Sequence, residues 1–484
     1  NTLVGFATRA DVGAALAQQP VRGGASQGRM VEMAMENGAA ELEAFEREAD
    51  DAARLFTRFQ ALQRLAQGPA YVHDADPVRR DLRRRLRDLA ERADRLLAPQ
   101  YGVQPAQARA YQQWRDSHQP FHWFTEFYGI MSRGGFDVII GNPPYVEYSK
   151  VKRQYTIQGY ETESCGNLYA YTLDRCARLS SKGSYFGMIM PASAFSTDRM
   201  QPLMELLQRT RYWISFYDFR PSKLFDGVNL RLSIAIIQFG DTANPQTCAF
   251  STDYNRWYTV ERPRLFACLQ YAPTEHQDGT VPKVGQSLER SIFVKTDCSG
   301  IVLGRLLTRD GAFVLYFHDA ILYWIRATDF APELDGYVSS HVKSLSFADQ
   351  THQLVASSLL NSSIFYWRWT KTSNCRDLSL REIRAAAIPE TLLSESALLR
   401  LRDLNTRLMD DLMANSQVKT RHQRLTGPVR YREFNPVLSK PIINEIDHVL
   451  ARHYGFTDEE LDYIINYDIK YRMGDALNDD EDGD

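Results

Sequence analysis

Residues 136–145 read Phe136-Asp137-Val138-Ile139-Ile140-Gly141-Asn142-Pro143-Pro144-Tyr145. The apolar run from Val138 to Ile140 reads as a fully buried strand, closed by Gly141 and locked by two prolines of fixed φ. An amide, two imino acids and an aromatic then stand at the carboxyl end of a central strand, where open α/β sheets hold their ligands. Asn142 offers a side-chain carbonyl oxygen and Pro143 a backbone carbonyl of fixed direction. Two convergent acceptors suit a planar NH2 group, which has two hydrogens to donate. Tyr145 adds a flat face on which a heteroaromatic ring can stack.

The exocyclic amine of adenine is a poor nucleophile because its lone pair is delocalised into the ring. Acceptors on both hydrogens free that lone pair to attack an electrophilic methyl group. Asn142, Pro143, Pro144 and Tyr145 resemble the Asn-Pro-Pro-Tyr motif of N6-adenine DNA methyltransferases, which use S-adenosylmethionine and flip their target base. The same tetrapeptide occurs in methyltransferases acting on the glutamine amide of release factors, because that too is an NH2 group. A proline-stiffened turn with no chemistry is a third reading. The rest of the chain must separate these.

At 484 residues the chain has room for roughly three domains. A hydrophobic content of 44% and a charged content of 24% describe an ordinary soluble protein. No apolar run approaches the roughly 20 residues of a membrane span and no signal peptide is visible, so the expected location is the cytoplasm, away from membrane. Cys165, Cys176, Cys248, Cys268, Cys298 and Cys375 form no C-x-x-C pair, and the histidines show no ligand spacing. Reduced thiols, with neither a disulfide framework nor a metal site, are the expectation. A net charge of −3 argues against coating nucleic acid by charge alone, but not against a specific reader whose basic groove is offset elsewhere. The acidic tail from Asp475 to Asp484 is such an offset and is expected to be disordered. Because the chain begins with Asn1 and not Met, a processed, truncated or incompletely represented protein is expected.

From Ser26 to about Gly102 apolar residues recur at helical spacing, broken by Pro69, with a second helix predicted to begin at Asp76-Pro77. In that helix Leu82, Leu86, Leu89, Ala93, Leu96 and Leu97 make one stripe, and arginines with interspersed acids cover the rest. A solvated hairpin laced by ion pairs is the favoured reading, with a DNA-backbone contact by the Arg79 to Arg85 cluster as the alternative. After Tyr145, the cations Lys150, Lys152 and Arg153 interleave with Tyr148, Tyr155 and Tyr160, as in loops beside nucleic acid or as a plain polar surface. A helix is predicted from Asn167 through Leu179, strands at Tyr185 to Pro191, Trp213 to Phe219 and Leu232 to Phe239, and a helix around Met200 to Leu207.

This order resembles the second half of a doubly wound methyltransferase sheet, and further likenesses extend that resemblance to about residues 119–474. It implies that the segment holding Asn1 and Leu3 lies, with Asn142, beside the adenine of S-adenosylmethionine. It also implies that Phe225 is the second aromatic sandwiching a flipped adenine with Tyr145, though a core phenylalanine fits that position as well. Asn167-Leu168-Tyr169 stands where the family often carries Asp-Leu-Tyr. The Gly-rich loop that holds the methionine end of S-adenosylmethionine is missing before residue 136. Without the strand that carries it, the motif strand would present an apolar edge. The expectation is a carboxyl-terminal part of a larger methyltransferase, or a chain completed by another polypeptide.

From Cys248 to Pro389 aromatic residues and short strands dominate. The run Leu359 to Trp369 with Ser373 to Leu378 resembles the target-recognition domain of TaqI-type and type IIG restriction–modification methyltransferases. Arg368, Lys371, Asn374 and Arg376 are base-reading candidates by chemistry. A helix is predicted over 391–417, followed by a basic loop in which Arg421 and Arg424 are candidates for phosphate contact. Residues from Ile443 to Arg472 resemble the carboxyl end of type IIG and BREX/DISARM phage-defence methyltransferases. Asp468 and Lys470 have the D-x-K spacing of one nuclease class, with no acidic partner to support cleavage.

The expected fold is therefore α/β: the second half of a doubly wound methyltransferase sheet with a helical insertion, then a mixed α+β target-recognition domain and a helical carboxyl terminus. The expected boundaries are 1–25 for a remnant of the methyltransferase core and 26–118 for the insertion. They continue with 119–244 for the core bearing the motif, 245–390 for target recognition and 391–484 for the terminal region. Release-factor methyltransferases are compact, so the long extension selects adenine over glutamine. The expected partners are double-stranded DNA, a half or companion chain carrying the S-adenosylmethionine site, and other restriction or defence subunits. A DNA-specificity or scaffold subunit without catalysis is the alternative.

Overall fold

Thr8 opens the first helix with a reciprocal cap: its hydroxyl accepts from the Asp11 amide at 3.3 Å while the Asp11 carboxylate accepts from the Thr8 amide at 2.9 Å. The structure is a computed structural model that describes residues 1–18, 27–65, 70–240, 249–276, 279–297, 300–335, 337–423 and 427–474. It divides into two compact units. The first comprises Asn1–Ala194, Arg199–Trp213 and Ile234–Cys248, and the second comprises Phe195–Asp198, Ile214–Ser233 and Ala249–Asp484.

In the first unit α1 (Arg9–Ala17) packs on a hairpin of α2 (Gln27–Leu65) and α3 (Ala70–Leu97). The predicted stripe holds: Leu82, Leu89, Ala93 and Leu97 are buried with Val12, Leu16, Leu42 and Phe45. The exposed faces are laced by ion pairs, among them Arg92–Glu48 at 2.8 Å and Arg95–Glu91 at 2.7 Å. Pro77 lies inside α3 and not at its start. Asp76, expected as the cap, pairs instead with Arg79 at 2.6 Å, because a proline removes only one donor from a helix whose flanking residues favour it. After α4 (Ala108–His118) and the one-turn helices α5 (Trp123–Glu126) and α6 (Tyr128–Met131), His122 ties the chain's first residues down. Its Nδ1 accepts from the Phe6 amide at 3.1 Å, which leaves Nε2–H to donate to the buried Asp94 at 3.0 Å.

Strand β1 (Phe136–Gly141) then pairs in parallel with β2 (Ser180–Pro191), reached through α7 (Leu168–Leu179). Beyond β2 lies the strand formed by Leu232–Gln238, and β1 is an edge strand. After α8 (Gln201–Leu207), β3 (Arg211–Tyr217) and β4 (Leu232–Gln238) each carry residues of both units. The expected secondary structure from Asn167 to Gln238 is thus present.

The motif strand is not fully buried, which corrects the reading of its apolar run. Val138 and Ile140 are 67% and 85% exposed, and the register sets Tyr185, 45% exposed, opposite Val138. Ile236 of β4 is 42% exposed. On the other face Phe186, Met188 and Met190 are buried. Side chains alternate along a strand, so one face of β1, β2 and β4 has its cover and the other shows apolar side chains to solvent.

The second unit holds strand β5 (Ala249–Asn255) antiparallel to β6 (Ala272–Thr274), with β3 beside β5. Helix α9 (Ser287–Thr296) precedes the short strands β7 (Ile301–Val302) and β8 (Leu307–Thr308). A four-stranded antiparallel sheet follows in the order β10-β9-β11-β8, from β9 (Phe313–His318), β10 (Ala327–Thr328) and β11 (Val342–Phe347). Helices α10 (Gln350–Leu360) and α11 (Ser363–Thr372) carry the aromatic run, with Phe365, Tyr366, Trp367 and Trp369 all buried. Helix α12 (Leu380–Ala385) and strand β12 (Ala387–Ile388), which pairs with β7, lead to α13 (Glu395–Ala414), shorter at both ends than predicted.

The basic segment expected as a loop is a hairpin of β13 (Gln417–Gln423) and β14 (Gly427–Glu433). Alternating side chains there let cations cross to acids, as in Lys419–Glu433, which a loop reading could not foresee. Helices α14 (Lys440–Tyr454), α15 (Asp458–Asn466) and α16 (Ile469–Arg472) close the described chain. The acidic tail 475–484 lies outside the described residues. No helix among the described residues is long and apolar enough to cross a membrane.

Candidate active site

Asn142, Pro143, Pro144 and Tyr145 leave the carboxyl end of β1 as an extended loop. Pro143 is buried while Asn142 and Pro144 are exposed, so the amide stands at the rim of the sheet. The Tyr145 hydroxyl reaches two acceptors, Asn142 Oδ1 at 2.8 Å and the Ile189 carbonyl of β2 at 3.0 Å. Burial pushes the pKa of this hydroxyl up to about 12, so it is a donor across the neutral range. An amide oxygen has two lone pairs, and the bond from Tyr145 leaves Asn142 one for a second donor. The Tyr145 ring meets the edge of Tyr169, with centroids 6.5 Å apart at 78°, which fixes its plane.

The loop is anchored downstream by an ion pair that sequence reasoning missed. Glu147 pairs with Arg199 at 2.8 Å, and the Arg199 hydrogen bond holds the Glu147 carboxyl below its usual range. Asn167 donates to the same carboxylate at 3.2 Å. An aspartate at 167 would set two carboxylates against each other, so the departure from Asp-Leu-Tyr is complementary to Glu147. Backbone bonds from Tyr148 to Gly166 and from Leu168 to Val146, 2.9 and 3.0 Å, clamp the loop to the start of α7. The only sequence signal for this anchor is an acid two residues after the motif.

The residues expected beside a cofactor are largely occupied within the protein. The Leu3 side chain is buried among Ile157, Tyr160, Leu168 and Tyr171. Its carbonyl accepts from the Tyr160 hydroxyl at 2.7 Å and from Arg175 at 3.0 Å. Asn1 Oδ1 accepts from the Leu3 amide at 3.2 Å. Only Asn142 of the three is open, and no strand precedes β1 among the described residues. The described residues do not fit S-adenosylmethionine by themselves: Leu3 is buried in the protein's own core, and no strand bearing a Gly-rich loop precedes β1 among them.

Residues 77–225, which enclose this loop, match the family model described as Eco57I restriction-modification methylase. The likeness to restriction–modification methylases thus falls on the segment that holds the loop. A putative type II restriction enzyme and methyltransferase of Methanocaldococcus jannaschii is 29% identical over 119 residues, 25% of this chain. The match spans about a tenth of that relative's length. Solved structures similar to the chain include the type IIL restriction-modification enzyme MmeI in complex with DNA, at 11% identity and a TM-score of 0.37. That likeness covers 68% of this chain and 56% of the other. A nuclease-deletion mutant of the type ISP enzyme LlaGI with a DNA substrate mimic is 9% identical with a TM-score of 0.33, covering 65% and 46%.

Beyond the matched residues the expected DNA-reading residues separate. Lys371 cannot read bases: its side chain is fully buried between Asp253 and Glu289. Burial pulls its ammonium down, and the two carboxylates more than offset this and hold it charged. Arg368 lies over the Phe293 ring at 3.7 Å and reaches Asp297 at 3.4 Å, with 17% of its side chain exposed. Both corrections share a cause, since α11 turns these two cations toward acids supplied by β5, α9 and Asp297 just beyond it. Asn374 Oδ1 accepts from the Arg376 amide at 2.8 Å in a turn, and Arg376 is exposed beside Asp377. Arg421 is exposed on β13, and Arg424 lies outside the described residues. In the first unit Lys150, Lys152 and Arg153 are exposed, and Arg80, Arg83, Arg84 and Arg87 line a groove of about 870 Å³ along α3. Phe225, in the second unit, is 38% exposed. Asp468 of the D-x-K pair is bound to Arg256, and Lys470 to Glu261 at 3.0 Å, so neither is arranged for cleavage.

Proposed function

We propose that this chain supplies the base-gripping loop and the DNA-reading part of an N6-adenine DNA methyltransferase in a restriction–modification or phage-defence system. The observation that carries the proposal is the pair of acceptors at the end of β1, with Asn142 exposed and its amide oriented by the Tyr145 hydroxyl. Asn142 Oδ1 and the Pro143 carbonyl accept the two amine hydrogens of a flipped adenine, which makes the nitrogen lone pair available. Tyr145 stacks on one face of the base, as the family resemblance implies. Pro144 keeps the loop extended. The proposed division of the chain follows the boundaries expected from sequence, with 245–390 reading the target site.

S-adenosylmethionine supplies an electrophilic methyl group when bound. Its cradle is proposed to come with polypeptide that also covers Val138, Ile140 and Tyr185, since an exposed apolar sheet face needs a partner surface. Two results would test these parts separately. Asn142→Ala in the complete enzyme is expected to abolish methylation while leaving DNA binding largely intact; near-normal methylation would overturn the role of the loop. Calorimetry of the isolated chain is expected to detect no micromolar binding of S-adenosylmethionine, and such binding would overturn the split site.

A second reading, a DNA-specificity or scaffold subunit, draws support from the engaged state of Asn1 and Leu3. A methylation assay with and without a candidate companion chain discriminates the two. Methyl transfer to a glutamine amide is disfavoured by the long second unit and would be seen as labelled protein in place of labelled DNA.

A further inference from the structure

We propose that Arg220 and Arg231 bind a backbone phosphodiester of the DNA strand at the two feet of the segment that carries Phe225. The inference rests on the reading of DNA as the substrate. Asp218 is buried, and its Oδ2 accepts from Arg256 Nε at 3.0 Å while its Oδ1 accepts from the Phe219 amide at 2.8 Å. Arg256 also pairs with Asp468. The Nε atoms of Arg220 and Arg231 lie 4.0 and 3.9 Å from Asp218 Oδ1, beyond hydrogen-bond reach. Both of these Nε atoms are buried and without a hydrogen-bond partner. Three guanidiniums therefore face two carboxylates, and one positive charge is in excess. The buried Lys371, by contrast, is flanked by two carboxylates.

Geometry makes the excess usable. Both guanidinium carbons sit over the ring of Phe219, at 4.9 and 5.1 Å from its centroid, so the two groups share one platform. The side chains keep 22% and 13% of their surface exposed. Residues 221–230 rise between them, held by Arg262, which donates to the carbonyls of Lys223 and Leu224 at 2.8 and 2.7 Å. A phosphodiester carries a single negative charge and two non-bridging oxygens, matching one surplus charge and two guanidiniums. A free phosphate monoester, with nearly two charges, overshoots it. Phe225 is exposed and lies between the two arginines in sequence, a combination in keeping with single-strand binding surfaces, where bases stack and cations track phosphates.

The test is anisotropy of a fluorescent duplex oligonucleotide titrated with the full chain over a salt series. Arg220→Gln and Arg231→Gln are each expected to weaken binding several-fold and to reduce the slope of log affinity against log salt by about 0.9. Arg231→Lys is expected to keep most of the slope. Variants with wild-type affinity and slope overturn the proposal. Phenylglyoxal footprinting of the unmutated chain, read by mass spectrometry, removes dependence on folding of the variants. Duplex DNA is expected to protect both arginines, and inorganic phosphate at matched phosphate concentration is expected not to. Equal labelling with and without DNA overturns the proposal, as does equal protection by inorganic phosphate. The role of Asn142 is read by methylation and not by these assays, so the two readings fail independently.

Discussion

The Tyr145 hydroxyl donates to Asn142 Oδ1 at 2.8 Å, so the residue proposed to stack on the base also aims the residue proposed to grip it. The two contributions can be separated. Tyr145→Phe keeps the ring and loses the orienting bond, and methylation by the complete enzyme is expected to fall by no more than about tenfold, as for one neutral hydrogen bond. Tyr145→Ala also loses a stacking contact of about 1–3 kcal/mol and is expected to fall roughly a further tenfold or more. Single-turnover transfer of labelled methyl groups measures both, and equal rates for the two variants would remove stacking from the role of Tyr145.

Val138 and Ile140 test the proposed cover of the exposed sheet face. Because they are 67% and 85% exposed, Ile140→Lys is expected to leave the thermal midpoint of the isolated chain nearly unchanged. Burial of each such side chain is worth about 1.5–3 kcal/mol, so assembly with a polypeptide covering this face should weaken by roughly tenfold to a hundredfold. Calorimetric titration with that polypeptide gives the number. A large loss of midpoint in the isolated chain would mean that the face is already covered.

Lys371 and Arg376 should part company in a denaturant melt. Lys371→Ala leaves the buried Glu289 and its neighbour Asp253 without their cation and is expected to cost about 3–5 kcal/mol. Arg376 forms only an exposed pair with Asp377 at 3.4 Å, and Arg376→Ala is expected to change stability by less than about 1 kcal/mol. The reverse order would restore Lys371 as a surface reader.

Asp447 should make stability depend on pH. Burial pushes its carboxyl up to about 6, and the hydrogen bond from Ser363 and the charges of Arg472 and Lys440 limit the rise. The folded state therefore holds this proton more tightly than the unfolded chain does. Its contribution is fully present below the unfolded value of 3.8 and is lost as pH rises through about 6, a change of roughly 3 kcal/mol. Urea melts from pH 4 to 7 should show stability falling relative to Asp447→Asn, and parallel curves would show that Asp447 does not titrate in this window.

The alternation and spacing along the chain were enough to place β2, β4 and α7, and the stripe of α3, because each buries one face and that periodicity is written locally. They were also enough to find the motif, whose prolines and amide have meaning wherever the strand ends. They misled at Val138 and Ile140, where an apolar run written for two covered faces has only one covered among the described residues. They misled again at Lys371, because a cation at helical spacing does not announce the acids that β5 and α9 bring to it.

By itself, then, the sequence determined the elements from α7 to β4, the proposed chemistry of the Asn142 to Tyr145 loop and the likeness of residues 77–225 to restriction–modification methylases. Only the tertiary structure decided which charged residues are spent on the fold and which are left over. The physical reason is that a local pattern encodes which face of an element is apolar, while the pairing of charges depends on residues far apart in the chain that meet only when it folds. Asp218 and Asp468 show this: 250 positions separate them, yet both bind Arg256, and their count leaves one positive charge in excess at Arg220 and Arg231.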